Sequence, residues 1–138
     1  MEVQSVSPVS WDPSLAVGHA LIDAQHQELF RRFGTLVEAM EAGKSTEIGE
    51  LFGFLADYVV EHFGAEEKLM DETRYPGAGI HKAAHARFVR EFADLVAFHE
   101  ANGASRAVVV KARTWIGGWL RAHIMGVDLA LAKFLHAV

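Results

Sequence analysis

The chain has 138 residues and no cysteine, so a single domain with an ordinary buried core is expected, without disulfides or thiolate-held clusters. Any metal must be held by imidazole and carboxylate, which excludes iron–sulfur and cysteine-type zinc sites. A formal charge of -5 and a pI near 5.9 argue against a nucleic-acid or anionic-membrane partner, and no apolar run approaches the ~18 residues of a membrane span.

The first residues, Met1 to Val6, lack a basic segment followed by an apolar one, so no signal peptide and a cytoplasmic location are expected. Residues 1–18 contain Pro8, Trp11, Pro13 and Val17 and read as an extended N-terminal arm folded over the body. A first helix follows at about 19–42, with Ile22, His26, Leu29, Phe33, Leu36 and Met40 stepping by three or four, and Gly43 ends it. Ser45 or Thr46 is a candidate cap for a second helix, at about 46–71, whose inward stripe reads Leu51, Leu55, Tyr58, His62, Glu66 and Leu69.

Thr73 to Gly79 is a loop, because Pro76 and two closely spaced glycines disfavour helix continuation. The third helix, at about 79–101, carries His81, His85, Phe88, Phe92 and Leu95 and fades near Asn102-Gly103, where Ser105 can cap the next. The fourth, at about 105–125, runs through Ala112, Trp115, Ile116, Trp119, Leu120 and His123, and a short C-terminal helix extends to about 136. Four such helices joined by short loops imply an all-α, up-down-up-down antiparallel four-helix bundle.

Seven side chains on these helices carry chemistry. Residues four apart on a helix lie about 40° apart around its axis, so His62 with Glu66, and His81 with His85, form side-by-side pairs. His26 and the His81/His85 pair lie early in ascending helices, whereas His62/Glu66 and His123 lie late in descending ones. All of them fall near one end of the bundle. With Asp128 they make five imidazoles and two carboxylates, too many donors for one ion and suited to two that share bridges. This ligand set suits iron, with manganese and zinc also open by ligand type. His123 and Asp128, five apart, are separated by about 140° on a regular helix, so the helix must loosen between residues 125 and 128, where Gly126 is the natural place.

The other polar candidates have plainer readings. His19, His99 and His136 are expected at the surface or at helix ends. Glu67 is expected to be solvated or to contact a ligand from outside, and Tyr58 to pack in the core. Asp23 is expected either to orient an imidazole or to sit at the helix N-terminus.

Trp11 with Val17-Gly18, Asp23-x-Gln25-His26, His62-Phe63-x-x-Glu66-Glu67-x-x-Met70, Tyr75-Pro76, His81-x-x-x-His85-x-x-Phe88 and Trp119-Leu120-x-x-His123-Ile124-x-x-x-Asp128 together resemble the bacterial hemerythrin family over nearly the whole chain. The resemblance implies two iron ions in an oxo- or hydroxo-bridged pair. His81, His85 and His123 would sit on one ion, His26 and His62 on the other, and Glu66 and Asp128 would bridge. It implies reversible O2 binding at the two-histidine iron, as carrier, store or local supplier and not as an enzyme. An O2-consuming client protein is a candidate partner, and a monomer is expected.

Leu29, Phe63, Trp119, Leu120 and Ile124, one to four residues from those ligands, are expected to wall the O2 pocket. Oxygen-activating bundle enzymes use Glu-x-x-His on two helices, and no glutamate here has histidine three residues on. The alternatives are O2 or redox sensing through a partner protein, or a diiron enzyme acting on nitric oxide or peroxide.

Overall fold

A computed structural model describes residues 11–137. Pro8 and the rest of the arm before Trp11 lie outside the described residues, as does the Met1 to Val6 stretch. The helices are α1 (Ala20–Glu41), α2 (Ser45–Thr73), α3 (Ala78–Asn102), α4 (Arg106–His123) and α5 (Leu129–Ala137), with a single π-helical turn at Ile124–Asp128 between α4 and α5. Among the described residues there is no strand. The main packed pairs are α1 with α2, α2 with α3, α3 with α4, and α4 with α1. Each long helix therefore has two neighbours, and the four close around one core as the antiparallel bundle expected from the apolar stripes.

The stripes of α1 and α3 are buried as the periodicity predicts, from Ile22 to Met40 and from His81 to Leu95. On α2 the stripe is rotated. Ile48, Phe52, Leu55, Val59, Phe63 and Met70 are buried, whereas Leu51, Tyr58 and Leu69 are only half-buried. This helix has apolar residues on nearly every face, so its sequence underdetermines which face turns inward. Tyr58 instead carries the Arg32 guanidinium over its ring at 4.4 Å.

Helix ends follow local chemistry. Ser105 caps α4 by accepting from Val108 N–H at 3.4 Å, as expected. Neither Ser45 nor Thr46 occupies the cap position of α2, which falls on Lys44 without a side-chain hydrogen bond. His19 caps α1, its Nδ1 accepting from Ile22 N–H at 3.3 Å. Asp23 accepts from Val17 and Gly18 N–H at 2.8 and 3.2 Å and so ties the arm to the first turn of α1 rather than orienting His26. The arm contains a short 3-10 turn, Pro13–Leu15, and buries Leu15 and Val17 against the core. Its end is held at Gly18, whose carbonyl lies 2.6 Å from His136 Nε2 on α5.

The loosening expected between residues 125 and 128 is the π-helical turn. In a π turn the N–H of a residue bonds five back, and Leu129 N–H reaches Ile124 O. Residues five apart then stack nearly above one another, which brings Asp128 under His123. Gly126 does not supply this by a left-handed backbone, since the positive-φ glycines among the described residues are Gly18, Gly43 and Gly103. A Cβ added at Gly126 would meet nothing within 4 Å. Gly126→Ala is therefore expected to leave metal content unchanged and to stabilise the fold by up to about 1 kcal/mol. Chemical denaturation with elemental analysis checks both, and loss of metal would show that the turn needs glycine.

Candidate metal centre

His26 on α1, His62 and Glu66 on α2, His81 and His85 on α3, His123 closing α4 and Asp128 closing the π turn converge at one end of the bundle. These seven are the buried polar or charged side chains among the described residues, each 6% exposed or less. They fall into two overlapping groups, Glu66, His81, His85, His123 and Asp128 in one, and His26, His62, Glu66 and Asp128 in the other. Within each group the donor atoms all lie within 4.8 Å of one another.

The carboxylates are shared oxygen by oxygen. Glu66 Oε1 lies 3.3 and 3.0 Å from Nε2 of His81 and His85, while its Oε2 lies 3.4 Å from Nε2 of His62. Asp128 Oδ1 lies 3.0 and 3.1 Å from Nε2 of His81 and His123, while its Oδ2 lies 2.8 Å from Nε2 of His26. Each carboxylate thus turns one oxygen to the three-imidazole group and the other to the two-imidazole group.

Close as they are, none of these oxygens, nor Nε2 of His26, His81, His85 and His123, is aligned as a hydrogen bond. Buried polar atoms left in this way are costly unless a further partner engages them. Two ligands each about 2.1 Å from one ion and at right angles are about 3.0 Å apart, which matches the spacings here. The donor set and its geometry fit a metal ion in each group.

The outer sides of two imidazoles are held. His62 Nδ1 lies 2.7 Å from Gln25 Oε1, and His85 Nδ1 lies 2.9 Å from Glu67 Oε2. An oxygen that only accepts places the N–H on Nδ1 and leaves the Nε2 lone pair facing inward. Glu67, read from sequence as solvated or outer, takes the outer role. Gln25 was missed by sequence reasoning. It stands one position before His26, about 100° around α1, and only the packing of α1 on α2 turns it toward His62.

Aromatic rings cover the three-imidazole group. Phe63 stacks on His85 with ring centres 3.8 Å apart, and Trp119 stacks on His123 at 4.3 Å. These two expected pocket residues therefore pack on the three-imidazole side, whereas Leu29, Leu120 and Ile124 are buried core residues beside the ligands in sequence. An open groove of about 500 Å³ is lined by Ile80, Ala83, Ala84, Arg87 and Glu91 of α3, by Trp119, Ala122 and His123 of α4, and by Val127 of the π turn. His99 and His136 stand apart from the centre. His136 is exposed, and His99, half-buried in the last turn of α3 as a helix-end residue, packs on Phe52 at 5.6 Å.

Without metal, burial would lower the pKa of His26 and His81, but the Asp128 and Glu66 carboxylates beside them outweigh it and raise both to about 9. Burial dominates at His62 and lowers it to about 4, so this imidazole is neutral at pH 7. Burial and mutual repulsion oppose ionisation of Glu66, yet the imidazoles around it hold its carboxyl low. The imidazoles likewise overcome burial at Asp128 and hold it well below its ordinary value.

The hemerythrin HHE cation-binding domain profile matches residues 17–135. The chain is 31% identical over 127 residues to a bacteriohemerythrin of Stenotrophomonas maltophilia (strain R551-3), an alignment covering 92% of this chain and 81% of that protein. It is 37% identical over 115 residues to a bacteriohemerythrin of Methylococcus capsulatus, covering 83% and 86%. A hemerythrin-like protein of Naegleria gruberi is 32% identical over 123 residues, covering 89% and 90%. A crystal structure of wild-type hemerythrin superposes with a TM-score of 0.79 at 29% identity, covering 90% of this chain and 95% of that one.

The raised imidazoles give a signed pH dependence. Their charged forms stabilise the metal-free fold fully below about 6.5, and that stability is lost as pH rises through about 9. Melting of metal-stripped protein should fall across this window, while apparent metal affinity rises about tenfold per pH unit for each proton displaced. Melting curves and chelator competition at several pH values check the opposing signs. His123→Ala is expected to lose tight binding in the three-imidazole group and to melt lower, and unchanged metal content in that variant would remove His123 from the ligand set.

Proposed function

The chain belongs to the hemerythrin family, and on that premise we propose that it binds O2 reversibly at two non-haem iron ions, as a carrier, store or local supplier of O2 rather than an enzyme. In this reading His81, His85 and His123 would hold one ion and His26 and His62 the other, with Glu66 and Asp128 contributing an oxygen to each. The observation that carries it is the division of each carboxylate's two oxygens between a three-imidazole and a two-imidazole group.

Unequal imidazole numbers matter because the bridging oxygens are shared equally. The two-imidazole half would offer its ion one protein ligand fewer, which would leave room there for a small diatomic ligand. When bound, the iron pair supplies the electrons for reversible O2 uptake.

The protein's own contribution is restraint. Leu29, Leu120 and Ile124, buried apolar residues near the ligands in sequence, would limit water around the donors, and Phe63 and Trp119 stack on His85 and His123. Only two of the seven donors are anionic, a set that supports highly charged iron less well than the carboxylate-rich sites of oxygen-activating bundles. O2 can then leave intact. His62, neutral at pH 7, binds without first losing a proton.

Elemental analysis of purified protein is expected to give two irons per chain. The absorption spectrum of reduced protein should change under air and return under argon through repeated cycles. Absence of a colour change on admitting O2, or sustained turnover of an added organic substrate, would overturn the reading.

A further inference from the structure

His62 and His85 are each gripped at Nδ1, but by acceptors of different charge. Gln25 offers His62 the neutral oxygen of an amide at 2.7 Å, and Glu67 offers His85 a carboxylate oxygen at 2.9 Å. Both acceptors fix the same tautomer and aim Nε2 inward, to 3.4 Å from a Glu66 oxygen for His62 and 3.0 Å for His85. They differ in what they do to the ring. An imidazole that donates to a carboxylate is the more basic ligand, because negative charge near Nδ1–H raises electron density at Nε2, whereas an amide orients the ring with little such gain. Glu67 is half-buried, and the Phe63 ring covers the face of His85 at 3.8 Å, so water screens this charge incompletely.

We propose that Gln25 and Glu67 are positioning residues that make the two halves of the centre unequal. Glu67 strengthens His85 and with it the grip of the three-imidazole half on its ion. Gln25 aims His62 without adding charge, so the two-imidazole half keeps the weaker field. The inference rests on the reading that the seven residues hold two ions, and it adds a division of labour. Outer negative charge is placed on the half with three imidazoles and withheld from the half with two.

The test is release of iron(II) from anaerobically loaded protein into excess ferrous chelator, followed by absorbance, with thermal melts as the control for folding. Wild type is expected to release two ions per chain in two phases. Glu67→Gln retains an acceptor oxygen but removes the charge, and should speed the slower phase at least tenfold while leaving the faster one in place. Gln25→Glu should slow the faster phase and draw the two together.

If Glu67→Gln releases iron like wild type while Glu67→Ala does not, only orientation matters and the charge role is overturned. A single phase in wild type, or both phases shifting equally in either variant, overturns it as well. Fewer than two ions per wild-type chain would remove the underlying metal reading too, whereas two ions with unmoved phases would remove this inference alone.

Discussion

Two carboxylates buried among five imidazoles are the constraint on which the rest of this structure turns. Glu66 and Asp128 are fully buried, and each would be expensive there as an isolated anion. What makes the arrangement tenable is the division of their oxygens between two sets of nitrogens, with neighbours at 2.8–3.4 Å. The nitrogens and oxygens face a common interior and are not paired off by aligned hydrogen bonds, which is what a set of metal donors requires and what a structural ion-pair network would avoid.

The scaffold serves that convergence from four directions. α1, α2, α3 and α4 each bring at least one donor, so no single helix can shift without moving a ligand relative to the others. The π turn is the local concession to this geometry. A regular helix would put His123 and Asp128 on different faces, and one i-to-i+5 hydrogen bond at Leu129 turns them to the same side. α5 then carries the chain to the arm, where His136 meets the Gly18 carbonyl, and Asp23 ties the same segment to α1. Both ends of the described chain thus brace the helices that supply His26 and Asp128.

Aromatic packing extends the restraint away from the donors. Phe63 and Trp119 lie flat on His85 and His123, and Phe88 packs on both of them, with ring centres 5.6 and 4.2 Å away. The His85 and His123 rings are therefore fixed by stacking on their faces as well as by their own helices. On the two-imidazole side Phe63 meets His62 only at a tilt, with ring centres 5.8 Å apart, and the amide of Gln25 holds that ring at Nδ1. This asymmetry in packing runs parallel to the asymmetry in ligand number.

Much of this was legible in the chain itself. Spacings of three and four placed His26, His81 and His85 on the buried stripes of α1 and α3, the pairs four apart announced a shared face, and the five-residue step from His123 to Asp128 required a distortion. These are consequences of helical period, which local sequence determines. Tertiary packing decided the rest. Apolar residues surround α2, so only its neighbours chose Phe52 and Val59 over Leu51 and Tyr58 as its inward face. Gln25 became a partner of His62, and Phe63 a cover for His85, because the rotation of one helix against the next sets which side chains meet, and no spacing within a single helix records that angle.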